Sequence, residues 1–287
     1  MTLSRLLFCG RRRDRGKEHE IPDENNPGWR HESKFLLSVS DAVVIRARIE
    51  AVAERDSHAV DGYYWVRSLY FDNYRDKALL EKLNGTDPRE KFRIRYYNFD
   101  TSRLYLEKKY RSSSLSMKFS EEISANTAQD ILRGQMDRPL ETNAGGRELV
   151  APLLAELYSK MRFNGLRPVS VVDYAREPYV FEAGNVRVTF DHDLRRGWTL
   201  EEFLNPDCET IPASYPLTMT RCSLAGNETI EPAIQYLDRT DVPGGSQPVL
   251  MEVKWDHFLP EVIQQAIGMP CLPVTAFSKY AYTRAFR

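Results

Sequence analysis

Long apolar segments and paired cysteines are both missing from this chain of 287 residues. Its longest apolar runs fall well below the roughly 18 residues that predict a membrane-spanning helix. The apolar patch at residues 6–9 is followed by arginines, which reverses the order found in a secretory signal. The cysteines are isolated in the sequence, at Cys9, Cys208, Cys222 and Cys271. This pattern predicts reduced thiols in a cytoplasmic location and no structural zinc site.

The sequence motifs of several common catalytic classes are also absent. The chain has no GxxxxGK[ST] phosphate loop, no GxGxxG after a predicted strand, and no GxSxG or HExxH motif. The first of these absences excludes a P-loop nucleotidase. Dispersed histidines without the spacing of metal ligands are interpreted as structural or surface residues: His31, His58, His192 and His257.

Net charge is close to zero, at −1, so the molecule as a whole has no attraction for nucleic acid. Tyr96, Tyr97 and Tyr105 could stack on bases, but no exposed basic stripe accompanies them. We therefore predict no nucleic-acid partner. A site for a polyanion would have to arise from local segregation of charge.

Such segregation is clearest in the segment Lys91-Phe92-Arg93-Ile94-Arg95-Tyr96-Tyr97. Successive side chains of a β-strand point to opposite faces. Arg93 and Arg95 therefore share one face, and Phe92, Ile94 and Tyr96 share the other. A single strand of this kind is usually explained by a basic face in water.

The same alternation recurs, which changes the interpretation. Charged or polar residues alternate with apolar ones in five further segments: 103–110, 115–119, 169–176, 186–191 and 249–255. Several strands with one apolar face and one charged, mostly basic face predict a barrel that is packed on its outside and lined with charge. Such a lining suits a polyanion, because paired guanidinium groups bind phosphate oxygens.

Three segments of the form Glu-x-Lys, at 32–34, 107–109 and 252–254, place a carboxylate and an ammonium on one strand face. Each alone would be interpreted as a surface ion pair of little energetic value. In a barrel interior, the ammonium groups would face phosphates and the carboxylates could hold a hard divalent cation. Glu252 is the first candidate ligand because its strand is the most apolar. Asp191-His192-Asp193 is interpreted as a loop at the end of a strand.

The remaining pattern predicts one domain at 30–287 that follows a disordered N-terminal arm at 1–29. Strands are expected at 31–39, 63–71, 91–97, 103–110, 115–119, 168–176, 179–182, 186–191 and 249–255. Helices are expected at 41–54, 73–83, 127–133, 147–162, 260–267 and 278–286. Ser40 is the predicted N-cap of the first helix. The short connections between residues 97 and 115 favour antiparallel pairing.

A set of short motifs, in this order and spacing, resembles the polyphosphate polymerase (VTC) domain family of the triphosphate tunnel metalloenzyme superfamily. The motifs are Ser68-Leu69-Tyr70-Phe71-Asp72, Arg93-Ile94-Arg95-Tyr96-Tyr97, Leu106-Glu107-Lys108-Lys109, Lys118, Tyr174-Ala175-Arg176, Val186-Arg187-Val188, Glu252-Val253-Lys254 and Phe277-Ser278-Lys279-Tyr280. The resemblance covers about residues 30–287. It implies an α+β fold in which an antiparallel β-barrel tunnel of about eight strands carries helices on its outside.

The resemblance also implies a function and a set of site residues. It implies a metal-dependent phosphoryl transferase that makes polyphosphate from ATP, with Mn²⁺ or Mg²⁺ held by Glu252. The implied catalytic residues are Arg93, Arg95, Lys109, Arg176 and Arg187. The implied substrate-binding residues are Lys34, Lys118, Tyr174 and Lys279. Hydrolysis of a triphosphate in the same tunnel and non-enzymatic binding of polyphosphate are the alternatives.

This sequence departs from the superfamily pattern at one position. The superfamily often carries Glu-x-Glu-x-Lys near its N-terminus, whereas this chain has Arg30-His31-Glu32-Ser33-Lys34. One metal ligand of the pattern is therefore replaced by arginine. Coupling of synthesis to export would need a separate membrane partner.

Overall fold

The computed structural model describes residues 28–135, 151–197, 200–208, 210–213 and 248–285. Most of the predicted N-terminal arm lies outside the described residues, as do residues 136–150 and 214–247. The first strand begins at Trp29, whose side chain is only 3% exposed.

Ten strands form one sheet in the described part of the chain. They are β1 (Trp29–Leu37), β2 (Glu54–Arg55), β3 (Tyr64–Asp72), β4 (Arg89–Tyr97), β5 (Asp100–Ser112), β6 (Leu115–Ile123), β7 (Arg167–Phe181), β8 (Val186–Gly197), β9 (Thr210–Pro212) and β10 (Val249–Trp255). Eight of them run in the order β7-β3-β4-β5-β6-β1-β10-β8, and pairing of β8 with β7 closes the ring. Each pair is antiparallel. The predicted antiparallel barrel is confirmed.

Six helices are present in the described residues. They are α1 (Val39–Glu50), α2 (Lys77–Leu83), α3 (Ala125–Leu132), α4 (Pro152–Asn164), α5 (Glu261–Ile267) and α6 (Lys279–Ala285). Together with the barrel they give the α+β class that the sequence predicts. None of these helices has the length and apolar character needed to span a bilayer.

The apolar faces of the strands lie on the outside of the barrel, beneath the helices. Phe92 and Ile94 of β4 pack in one cluster with Leu157 of α4. Val253 of β10 packs in a second cluster with Ile263 of α5 and with residues of α1. Full burial of one such side chain stabilises the fold by about 1.5–3 kcal/mol. This packing leaves the charged faces of the same strands to line the interior.

The first helix begins earlier than predicted. Its N-cap is Ser38 and not Ser40, since Ser38 Oγ accepts a hydrogen bond of 3.0 Å from the Asp41 backbone N–H. Ser38 Oγ also donates to the Asp41 carboxylate at 2.7 Å, which reinforces the cap. The second helix begins later than predicted, at Lys77, because the Asn73 side chain accepts from backbone N–H groups and holds a turn ahead of it.

Two predicted strands, at 168–176 and 179–182, are one continuous strand, β7. The sequence interpretation left residues 177 and 178 outside both strands. In the structure, the pairing of β7 with β3 ends at Arg176 and its pairing with β2 begins at Tyr179. Pro178 therefore lies between the segment of β7 that pairs with β3 and the segment that pairs with β2. On this side of β7 its missing N–H leaves no hydrogen bond of the sheet unmade.

A buried ion pair outside the barrel anchors the segment at 200–208. Arg67 of β3 and Asp173 of β7 form hydrogen bonds of 2.9 Å through Nε and Nη2, and both side chains are 1% exposed. Arg67 also donates to the backbone oxygens of Asn205 and Cys208, at 2.7 and 3.2 Å. The guanidinium thus joins two barrel strands to a surface segment.

Asp173→Ala is expected to lower the free energy of unfolding by about 3–5 kcal/mol, because it leaves the Arg67 charge buried without a carboxylate. Urea unfolding would measure the loss. Lys77→Ala is the control, since it breaks an exposed ion pair with Glu81 and should cost less than about 1 kcal/mol. If the two variants lose equal free energy of unfolding, the buried Arg67–Asp173 ion pair contributes no more to stability than an exposed ion pair.

Candidate functional site

Twelve charged side chains line the tunnel in two ion-pair groups, one around Glu107 and one around Glu32, Asp191 and Glu252. Tyr174 joins the two groups, because it contacts both Arg95 and Lys279. The cations are Lys34, Arg93, Arg95, Lys109, Lys118, Arg176, Lys254 and Lys279, and the carboxylates are Glu32, Glu107, Asp191 and Glu252. Each cation lies within 4.0 Å of at least one of these carboxylates. Eight cations against four carboxylates leave an excess of four positive charges when Lys254 is protonated. We call these twelve residues the central network.

Glu252 is the most connected carboxylate of the central network. Its oxygens lie 3.0 Å from Lys34 Nζ, 3.0 Å from Lys279 Nζ, 3.5 Å from Arg176 and 3.6 Å from Lys254 Nζ. Burial opposes its ionisation, but the surrounding cations outweigh that effect and hold the pKa of Glu252 well below its usual range. Glu252 is therefore a buried anion that meets four cations.

Asp191 holds two predicted site residues together from β8. Its carboxylate accepts from Arg176 Nε at 2.6 Å and from Arg176 Nη2 at 2.7 Å, and it lies 2.6 Å from Lys279 Nζ. The sequence interpretation ended the strand at Asp191 and took Asp191-His192-Asp193 as a loop at the strand end. That prediction was wrong, because β8 continues to Gly197 and Asp191 faces inward with 3% exposure.

Glu107 of β5 performs the same task on the opposite side of the central network. It lies 2.6 Å from Arg93 and 3.1 Å from Lys118 Nζ. Burial alone would raise the pKa of Glu107, yet Arg93 and Arg95 lower it far below its usual range. The inward arginines and lysines are therefore held in place by carboxylates.

Arg95 is the exception among the central cations. Its nearest carboxylate, Glu107, is 4.0 Å away. Its guanidinium instead donates to the Tyr174 hydroxyl at 3.0 Å and to Ser68 Oγ at 3.3 Å, and the residue is only 5% exposed. The Lys279 Nζ atom lies 4.5 Å from the ring centroid of Tyr174. Arg95 is thus a buried positive charge with neutral hydrogen-bond partners.

Arg187 lies apart from the central network, on the inner face of β8. It pairs with Asp56 at 2.7 Å and donates to the Tyr64 hydroxyl at 3.0 Å. The structure thus brings nine of the ten predicted site residues together: Lys34, Arg93, Arg95, Lys109, Lys118, Tyr174, Arg176, Glu252 and Lys279. Arg187 is the exception, because it pairs with Asp56, which does not belong to the central network.

This arrangement has the chemistry of an anion site. The closed barrel buries the carboxylates and most of the cations, while the side chains of Lys118 and Lys109 are 56% and 37% exposed. The lining carries more guanidinium and ammonium groups than carboxylates. Comparison with known families agrees with that chemistry, because a model described as the VTC domain matches residues 29–286. The chain belongs to the VTC-domain family.

Solved structures with similar folds are distant from this VTC domain. A candidate adenylyl cyclase from Hippeastrum, described as having a dominant triphosphatase activity, is 12% identical, with 90% of this chain and 96% of that chain covered and a TM-score of 0.46. A candidate adenylate cyclase from Bacillus halodurans is 12% identical, with coverages of 85% and 88% and a TM-score of 0.41. A search of curated proteins found no match.

The family implies a divalent metal, and the residues present fit one. Glu32 Oε1 is buried without a hydrogen-bond partner, although Lys34 Nζ lies 3.2 Å away. The same Lys34 Nζ is 3.0 Å from Glu252, so the two carboxylates lie close together. No cluster of three or more metal-ligating side chains occurs within the described residues. A hard cation held by two carboxylates would complete its shell with water and phosphate oxygens, as Mg²⁺ commonly does.

Four members of the central network were not among the predicted site residues, namely Glu32, Glu107, Asp191 and Lys254, and Asp72 is a fifth contributor. Lys254 shares its strand face with Glu252, and this spacing of two residues was a usable signal. Asp72 gave no such signal. Its carboxylate accepts from the Tyr280 hydroxyl at 2.6 Å and from the backbone N–H groups of Ala78 and Leu79 at 2.8 and 3.0 Å. Asp72 thereby ties α2 and α6 to the barrel and positions Lys279 beside Tyr280.

Proposed function

We propose that this VTC domain is a metal-dependent phosphoryl transferase that synthesises polyphosphate from ATP inside the tunnel. The observation that carries the proposal is the excess of four positive charges in the central network. Phosphoryl transfer requires mainly alignment of the phosphates and stabilisation of their charge. The central network supplies both from rigid strands.

The predicted roles follow from these positions. Arg93, Arg95, Lys109 and Arg176 would hold the reacting phosphoryl group, and Arg187 would join them on leaving Asp56. Lys34, Lys118, Tyr174 and Lys279 would bind the other phosphates. An arriving phosphate chain would take over cations that Glu107, Asp191 and Glu252 hold in its absence. The lining is therefore preorganised for anionic oxygens.

A divalent ion fits beside this lining. Glu252 and Glu32 would hold Mg²⁺ or Mn²⁺, which would supply Lewis-acid stabilisation of phosphate oxygens. Lys34 contacts both carboxylates and keeps them ionised, because burial is outweighed and the pKa of each is lowered. Ionised oxygens are the ligands that such cations require.

The carboxylates of the central network are poorly suited to activate a water molecule. An effective general base has a pKa near the working pH. The four carboxylates of the central network instead have lowered pKa values, since their neighbouring cations outweigh burial. A terminal phosphate oxygen is already anionic and needs no base. Hydrolysis would therefore need a base other than these carboxylates, and the Lys254 amine, whose pKa is about 7, is the candidate in the central network.

The test is an assay of purified protein with ATP and either Mn²⁺ or Mg²⁺. Products would be separated on a gel stained for polyphosphate while free phosphate is measured. We expect a polyphosphate ladder with ADP, and its loss in Arg93→Gln but not in Arg48→Gln on the outer helix α1. Free phosphate without a ladder would replace the proposal with a triphosphatase. Absence of both products, with tripolyphosphate still bound, would leave a binding module.

Binding of tripolyphosphate is expected to weaken as the pH rises. Burial lowers the pKa of Lys254 to about 7, although Glu252 and Glu32 raise it. A bound anion favours the charged amine, so binding raises that pKa and takes up a proton. The contribution of Lys254 is therefore complete below about pH 6 and is lost as the pH rises above about 7. Calorimetry across this range would show a flatter profile in Lys254→Gln, whereas an unchanged profile would contradict the assignment.

A further inference from the structure

Four cations outside the central network lie at one end of the tunnel. Arg89 is the first residue of β4, Arg111 stands next to the last residue of β5, and the two are paired in the sheet. Lys91 follows on the same inward face as Arg89, and Lys82 comes from α2. We call these four residues the mouth cluster. Its strand positions place it where the barrel opens.

The mouth cluster differs from the central network in its partners. None of its four members forms an ion pair with a carboxylate of the described residues, whereas every central cation does. Arg89 donates to the Thr86 carbonyl at 2.8 Å and Arg111 to the Ser113 carbonyl at 3.3 Å. Lys91 Nζ lies 5.1 Å from the ring centroid of Tyr280. These contacts orient the cations without neutralising them.

The acidic residues near this end are occupied elsewhere. Asp72 accepts from Tyr280, Ala78 and Leu79, as described above. Asp87 accepts from the Ser113 backbone N–H at 2.9 and 2.8 Å, which ties the loop before β4 to the turn after β5. Glu81 pairs with Lys77. The end of the tunnel therefore carries positive charge without a direct carboxylate partner, and Asp87, Glu81 and Asp72 offset that charge only from a distance.

Electrostatics within the cluster agree with this geometry. Burial, followed by the repulsion of Lys82 and Arg89, lowers the pKa of Lys91 to about 7. Burial and the repulsion of Lys34, Arg89 and Arg111 lower the pKa of Lys82 to about 8. An anion at this position would relieve the repulsion among these groups.

The row of cations continues without a break from the centre to this end. Arg93 and Lys91 are neighbours on the inner face of β4, and Lys91 is paired with Lys109 of the central network. Arg93 and Arg95 are about 7 Å apart along the strand, and Arg89 is about 13 Å from Arg93. A short phosphate chain held at Arg93 and Arg95 therefore stops before Arg89.

Resting on the proposed function, we propose that the mouth cluster is a distal anion subsite that binds the phosphates of a linear polyphosphate extending beyond the central network. The subsite gives the tunnel a preference for long chains over triphosphate. A chain without bulky groups between its phosphates fits a continuous row of inward cations better than an oligonucleotide does.

Binding in metal-free buffer tests the subsite without requiring catalysis. Tripolyphosphate and long-chain polyphosphate would be titrated into the wild type, Arg89→Gln/Arg111→Gln and, separately, Lys82→Gln. Arg48→Gln/Arg162→Gln, on α1 and α4, is the control with the same change of charge. We expect the double mouth variant to bind long chains about tenfold more weakly, with a smaller dependence on salt. Its affinity for tripolyphosphate should stay within about twofold of the wild type.

Other outcomes would overturn the subsite. Equal losses for both ligands would assign the mouth cluster to the triphosphate site, and no loss for long chains in either mouth variant would remove the subsite. Displacement of long-chain polyphosphate by an equal charge of single-stranded oligonucleotide would replace it with a general polyanion surface. A wild type that binds no tripolyphosphate would instead defeat the proposed function itself.

Discussion

Glu252→Gln is expected to reduce phosphoryl transfer by about 100- to 1,000-fold, the scale of losing a preorganised electrostatic group. The carboxylate contacts Lys34, Arg176, Lys254 and Lys279 and is the first candidate ligand for the divalent ion. Glutamine keeps its size but removes the charge that a hard cation needs. Rates with ATP and Mn²⁺ would measure the loss, and Glu54→Gln in the exposed strand β2 should leave them unchanged.

The same substitution should act in the opposite direction on metal-free binding. In the absence of a ligand, Glu252 competes with phosphate for Lys34 and Lys279, each 3.0 Å away. Its neutralisation raises the excess positive charge of the central network by one. We therefore expect tripolyphosphate to bind as tightly or more tightly in metal-free buffer, while transfer fails. Parallel loss of binding and transfer would contradict a role in holding metal and point to collapse of the site.

Stability of the same variant supplies a third comparison. Removing one partner of a buried ion pair commonly costs about 3–5 kcal/mol, because the remaining charge is uncompensated. Four cations contact Glu252, so its loss should lower the melting temperature of the ligand-free protein. Added tripolyphosphate replaces the missing anion and should recover much of that loss. A variant that neither destabilises nor responds to tripolyphosphate would contradict this description of the central network.

The barrel could be predicted from the sequence because the strand period of two is a local property. Arg93 and Arg95 must share a face, and Phe92 and Ile94 must share the other, whatever the tertiary structure. Element ends were less predictable, because side-chain capping and partner changes decide them. Ser38, and not Ser40, reaches the Asp41 N–H. Pro178 interrupts the pattern of β7 without interrupting the strand, since its partners change there.

The candidate site was predictable as a set of inward cations but not as a network. Which carboxylate holds which cation depends on closure of the ring, which joins β7 to β8 and places both strands against α6. Lys279 and Asp191 meet only through that closure. Tyr280 and Asp72 are 208 positions apart in the sequence. Lys82 belongs to a short helix without a periodic pattern of basic residues. The sequence around it therefore does not predict that Lys82 lies in the mouth cluster.

The second large effect is expected at Arg95. Arg95→Gln should remove about 2–4 kcal/mol of transition-state stabilisation, a fall of about 30- to 1,000-fold in kcat/KM. Its guanidinium faces the tunnel, donates to Tyr174 and Ser68, and has its nearest carboxylate 4.0 Å away. It is therefore the central cation most available to a phosphate. Arg95→Lys should also lose activity, because a single ammonium cannot form two parallel hydrogen bonds to phosphate.

Stability distinguishes a functional role of Arg95 from a structural one. Burial of the Arg95 guanidinium carries a desolvation cost, but its surroundings favour the charged form, because the pKa of Arg95 is raised despite that burial. Arg95→Gln removes both the cost and these interactions, and glutamine can still hydrogen-bond to Ser68 and Tyr174. We therefore expect its free energy of unfolding to stay close to that of the wild type, while activity and tripolyphosphate affinity fall. If urea unfolding shows a large loss of stability together with the loss of activity, Arg95 is mainly structural. Retention of both the activity and the affinity would remove Arg95 from the site.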